Sequence, residues 1–139
     1  MNHPIFSKVN ILGIKLIMKG GSIGNYQKKK VIYIEGEKNE KVCFILQGQV
    51  ALQHSEMQKL GTVSEDGCLG EENTFDMKRS ENYFETAYTE SDFVQLVEFD
   101  NAGFQSLKEM FFESGLKKDY LLLEGMMRKC FIQKKIWRQ

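Results

Sequence analysis

The sequence predicts a mainly β domain: an antiparallel β-roll of double-stranded jelly-roll type, with a short N-terminal helix and two C-terminal helices. Three observations predict it. Apolar residues recur through 31–54 and 84–99 in short runs separated by turn residues, the pattern of strands in an antiparallel sheet. Several runs are apolar at odd and even positions alike, which suits strands covered on two faces. From Asn101 the period becomes helical and stays so, so strands and helices are segregated and alternating βαβ units are excluded.

The chain has 139 residues, the size of one domain with a sizeable core. We divide it into a helical lead-in over 1–22, a roll over 23–100 and C-terminal helices over 101–139. Nineteen basic and nineteen acidic side chains balance to zero, so charge gives no argument for a nucleic-acid partner. Cys43, Cys68 and Cys130 are odd in number and widely spaced, which points to a reducing compartment and core-type thiols. No apolar run approaches the roughly 20 residues of a membrane span, and the N-terminus lacks a signal peptide's apolar core. The expectation is an intracellular, cytoplasmic protein.

Taken in order, Ser7 is placed to cap a first helix, and Phe6, Val9, Leu12, Leu16 and Ile17 sit near helical spacing. Gly20-Gly21 stops it. Lys28-Lys29-Lys30 reads as a solvated hairpin turn between Tyr26 and Val31. Strands follow at 31–35, 42–46 and 50–54, with turns at Gly36-Glu37-Lys38-Asn39 and Gln47-Gly48-Gln49. Phe84, Ala87 and Tyr88, then Phe93 through Phe99, give two more. The alternation puts Ile32, Ile34, Phe44, Leu46, Val50, Leu52, Phe93 and Leu96 in the core. Phe104, Leu107, Met110 and Phe111 make one helical stripe, capped by Asp100 or Asn101 and ended by Gly115. A second helix over 117–136 is apolar across a wide arc and basic at its end, where Lys134, Lys135 and Arg138 suit the helix dipole. That arc is more than one sheet contact needs. It implies packing on the roll plus a surface for a protein partner, with Trp137 as a candidate anchor.

The stretch with the most chemistry is Asp66-Gly-Cys-Leu-Gly-Glu-Glu-Asn73. Glycines allow backbone N–H groups close to an anion, and a helical turn after them aims several N–H groups outward. A carboxylate there can accept from sugar hydroxyls. A surface turn with solvated acids is the alternative. The wider text, Val31 through Val50 with Glu35-Gly36-Glu37 and Phe44-Ile45-Leu46-x-Gly48-x-Val50, then Leu69-Gly70-Glu71 and Thr86-Ala87, resembles the cyclic nucleotide-binding domain family. The resemblance runs from about Ile5 to about Ile132.

That resemblance implies a cAMP or cGMP ligand held by a phosphate-binding cassette. Its residues here are Leu69, Gly70, Glu71, Glu72, Asn73, Thr86 and Ala87, with Glu71 as the acid that accepts from the ribose 2′-hydroxyl. It also implies an arginine for the cyclic phosphate. Counting back from Ala87, that place falls near Glu81, and Lys78 and Arg79 lie two or three positions early. Arg79 is the candidate substitute. Losing a buried phosphate partner costs roughly 2–5 kcal/mol. Enzymatic readings fare worse. A cupin-type metal site needs several histidines, and only His3, in a lead expected to be mobile, and His54 exist. Cys68 has no histidine placed to activate it. No catalytic residue and no metal ligand is assigned. Two hypotheses remain: a degenerate roll serving as a structural or regulatory subunit, and a working sensor whose C-terminal helices report the ligand to a partner.

Overall fold

The computed structural model describes residues 3–55, 58–72 and 82–138. Among them, eight strands form two four-stranded antiparallel sheets. One sheet has β1 (Ser22–Gln27), β8 (Phe93–Asp100), β3 (Lys41–Gln47) and β6 (Cys68–Leu69) in that order. The other has β2 (Val31–Tyr33), β7 (Thr86–Thr89), β4 (Val50–His54) and β5 (Gln58–Val63). This is the antiparallel roll that the alternation predicts. β8 is its longest strand and pairs with β1 on one side and β3 on the other.

Two cores follow from the layering. Between the sheets lie Tyr33, Cys43, Ile45, Val50, Leu52, Leu69, Ala87, Val94 and Leu96. The opposite face of the β1-β8-β3-β6 sheet, with Val42, Phe44, Val97 and Phe99, packs on the helices. So β3 is apolar at successive positions because helices cover one of its faces and the second sheet covers the other. Phe44 is fully enclosed, with the rings of Phe6, Phe99 and Phe104 about it at centroid distances of 6.1–6.2 Å.

The predicted core needs four corrections. Ile34 and Phe93 are 48% and 40% exposed, and Ile32 and Leu46 are only half-buried. In β2 it is Tyr33 that turns inward. The N-terminus differs as well. Phe6–Lys8 is a single 3-10 turn, Val9 is extended, and α1 (Ile11–Gly20) starts afresh with Asn10 Oδ1 accepting from Leu12 N at 2.9 Å. Ser7 therefore caps nothing. His3, expected in a mobile lead, is buried: its Nε2–H donates to Ile45 O at 2.7 Å, and Nδ1 accepts from the N–H groups of Ile5 and Phe6. The lysine turn adopts the left-handed region at Lys29 (φ 63°), a conformation that glycine ordinarily takes.

Helix α2 (Asn101–Glu113) begins as expected, with Asp100 Oδ1 accepting from Gly103 N at 2.6 Å. Helix α3 (Lys117–Trp137) runs back across the roll. Leu123, Met126, Met127 and Phe131 face the core, whereas Leu121, Leu122, Ile132 and Ile136 are 46–56% exposed. No helix among the described residues is long and apolar enough to cross a membrane.

Candidate functional site

Strand β6 pairs with the middle of β3 and then turns sharply at Gly70, whose φ is +77°. A side chain there would collide with the Lys41 carbonyl as well as strain the backbone, so glycine is required. The turn sends the next two side chains inward. Glu71 is 0% and Glu72 8% exposed. Two adjacent carboxylates in the interior require cationic partners.

Those partners come from the last turns of α3, more than 60 residues away. Lys134, 1% exposed, donates from Nζ to Glu71 Oε1 at 2.6 Å and to Cys68 O at 3.0 Å. Its Nζ lies 3.8 Å from Glu72 Oε1. One turn further, Arg138 Nη2 donates to Glu72 Oε1 at 2.8 Å. The same guanidinium grips Glu85 through Nε at 3.0 Å and Nη2 at 2.7 and 2.8 Å, and it lies 4.4 Å over the ring of Phe84. Cys130, one turn before Lys134, lies against Cys68. The spacing 130, 134, 138 puts all three on one face of the helix.

Three buried carboxylates thus face two cations. Burial would lower Lys134, but Glu71, Cys130 and Glu72 outweigh it, and its ammonium is held well above the usual lysine value. Burial pushes Glu71 up against the pull of Lys134, and Glu85 rises for the same reason. At Glu72 burial is outweighed by Lys134 and Arg138 together, so this carboxyl lies below its usual range. Tyr33, stacked on Tyr83 at 3.8 Å, borders the cluster. Its hydroxyl and Glu71 Oε2 have no hydrogen-bond partner among the described residues.

Of the predicted site residues, Leu69, Gly70, Glu71 and Glu72 are contiguous here. Thr86 lies in β7, where its Oγ1 accepts from Glu35 N at 3.0 Å, and Ala87 packs into the inter-sheet core. Asn73, Arg79 and Glu81 lie outside the described residues. Lys134, Arg138 and Glu85 were not assigned to the site from sequence. The basic end of α3 had a sufficient explanation in the helix dipole, and the usable signal was the i, i+4, i+8 placement of Cys130, Lys134 and Arg138. Trp137, predicted as an anchor for a partner, instead lies on the roll. A side-chain carbon built on Gly61 would come within 2.6 Å of its ring. The one group of three metal-type donors among the described residues is Cys68, Glu71 and Cys130, within 4.8 Å of one another. Lys134 already supplies positive charge to that triangle.

The family model described as the cyclic nucleotide-binding domain matches residues 23–111. No curated protein matches the chain by sequence. Solved structures do match it by fold. The c-di-GMP responsive global regulator CLP of Xanthomonas campestris superposes with a TM-score of 0.72 at 14% identity, over 91% of this chain and 61% of that one. The catabolite activator protein of Thermus thermophilus gives 0.66 at 15%, over 96% and 62%. The N-terminal domain of a transcriptional regulator from Streptomyces coelicolor gives 0.65 at 16%, over 86% and 87%. The chain therefore spans about three fifths of the length of the two larger regulators.

Proposed function

The chain belongs to the cyclic nucleotide-binding domain family, and we propose that within it this is a non-catalytic module whose nucleotide site is degenerate, filled by its own C-terminal helix. The observation that carries this is the Lys134–Glu71 pair, 2.6 Å long with side chains 1% and 0% exposed. Glu71 is the acid that, in the family resemblance, would accept from the ribose. A nucleotide using it must first remove Lys134, and breaking a buried pair by taking one partner away costs about 3–5 kcal/mol. At 1.4 kcal/mol per decade that weakens binding by roughly 100-fold to several thousand-fold. The missing arginine near Glu81 adds to the penalty.

On this reading the whole chain is one domain, with 1–22, 23–100 and 101–139 as lead-in, roll and helices. It acts as a structural or regulatory subunit toward a protein partner, through the exposed side of α3 at Leu121, Leu122, Ile132 and Ile136. Three free thiols fit an intracellular, cytoplasmic setting, and a net charge of zero gives nucleic acid no purchase.

The second reading, a working cAMP or cGMP sensor, is favoured by two buried oxygens without partners among the described residues, Tyr33 Oη and Glu71 Oε2, because a polar ligand would satisfy them. Calorimetric titration of the purified chain with cAMP and with cGMP separates the two. The degenerate reading expects dissociation constants no tighter than about millimolar. Micromolar binding of either nucleotide would overturn it and establish the sensor.

A further inference from the structure

We propose that Cys130 is a peroxide-reactive thiol and Cys68 its resolving partner, so that a hydroperoxide closes a Cys68–Cys130 disulfide between β6 and α3. The two residues are 62 apart in the chain, yet Cys130 Sγ lies 3.3 Å from Cys68 O and 3.5 Å from Cys68 N. Their sulfurs are within 4.8 Å of each other.

Access and charge distinguish the two thiols. Cys130 is half-buried and lines a groove of about 590 Å³ between α3 and the β5–β6 connection, beside Gly67, Met126, Lys129 and Trp137. Cys68 is fully enclosed. An oxidant arriving by the groove meets Cys130 first. Contact with Cys68, the Lys134 ammonium and the Cys68 N–H outweigh burial and bring the Cys130 thiol down to about 6. Burial and the neighbouring thiol hold Cys68 well above its ordinary value. A low-pKa, accessible thiol next to a second cysteine is the arrangement of a redox sensor. A resident divalent cation on the same donors is disfavoured, because Lys134 Nζ is 2.6 Å from Glu71.

The chemistry balances. The Cys130 thiolate attacks one peroxide oxygen; the S–O bond forms, the O–O bond breaks, and the alkoxide or hydroxide leaves and is protonated. Cys68 then attacks the sulfenic sulfur; the S–S bond forms, the S–O bond breaks, and hydroxide leaves with the Cys68 proton as water. Two thiols are oxidised and one hydroperoxide is reduced. The product would tie the end of α3 to the strand that leads into Glu71, whether or not any nucleotide binds.

The test uses the reduced full chain, hydrogen peroxide in small molar excess at pH 7, and peptide mapping by mass spectrometry without reductant. The expected result is loss of two of the three thiols, a Cys68–Cys130 cross-linked peptide, and Cys43, enclosed at 2% exposure, still reduced. Cys130 should react at least about tenfold faster than Cys43. In Cys68→Ser, dimedone should trap a sulfenic acid on Cys130. If that variant does not fold, the wild-type map alone decides. Equal oxidation of Cys43 and Cys130, or loss of thiols with no intramolecular Cys68–Cys130 peptide, would overturn the proposal.

Discussion

Replacing Lys134 by methionine removes the ammonium and keeps most of the volume. Two full charges at the observed 2.6 Å attract by about 6 kcal/mol at an effective dielectric constant of 20. Desolvating each ion costs several kcal/mol, so the pair as a whole is nearly neutral to stability. Removing one member is different, because Glu71 keeps its desolvation cost and the Cys68 carbonyl loses a donor. Lys134→Met should therefore lower unfolding free energy by about 3–5 kcal/mol at pH 7, measured by urea titration. Glu71→Gln in the same background should recover part of this, with a coupling of about 1–3 kcal/mol in the double-mutant cycle. The pH dependence has a definite sign. Without Lys134, Glu71 is raised further, and an acid raised in the folded state stabilises most below its unfolded value and loses that contribution as pH rises. The deficit of Lys134→Met should therefore shrink from pH 8 toward pH 5. A loss under about 1 kcal/mol, additive with Glu71→Gln and independent of pH, would refute the buried pair as the organising contact.

Two further outcomes follow from the same geometry. Phe44→Ala should cost about 3–5 kcal/mol, since the ring is fully enclosed, and Phe93→Ala at 40% exposure less than about 1 kcal/mol; similar denaturation midpoints for the two would contradict the layering. Glu72 is depressed by Lys134 and Arg138 despite its burial, so its contribution is complete above the unfolded value of about 4.3 and is lost as pH falls below it. Glu72→Gln should flatten the acid limb of the stability profile below that value, and an unchanged slope would show that Glu72 is not ionised in the fold.

Much of the fold was readable because it rests on local signals. Val42, Phe44 and Leu46 against Cys43 and Ile45 announce a strand covered on both faces, and Phe104, Leu107 and Phe111 announce a helix. The misses have local causes too. β1 carries Gly24 and Asn25, and β5 carries only Leu60 and Val63 as large apolar residues, so neither reads as a strand by composition. Ile34 and Phe93 look like core because alternation gives a face but not what lies over it. Asn10 outcompetes Ser7 as a cap because the chain is extended at Val9.

The site divides along the same line. From sequence, Gly70 and Glu71 stand out as a glycine turn and a carboxylate that would accept from a ribose; the structure shows the turn and buries the carboxylate. Its protein partner was not legible, because Lys134 lies 63 residues on, on a helix end where a basic residue already had a reason to be. What the sequence reading treated as dipole compensation is a charge committed to the interior. This bears directly on anion binding. On the degenerate reading proposed above, a cyclic phosphate entering here meets Glu71, Glu72 and Glu85, while Lys134 and Arg138, the cations brought to the cluster among the described residues, are held by those carboxylates at 2.6–3.0 Å. To use either cation the phosphate must outbid a carboxylate that already has it, and to displace α3 it must leave three buried carboxylates without their partners. Both routes cost free energy of the same order as a typical nucleotide's whole binding energy, about 8 kcal/mol at micromolar affinity. On that reading, the arrangement that makes α3 a stable part of the roll is the one that works against a ligand in its place.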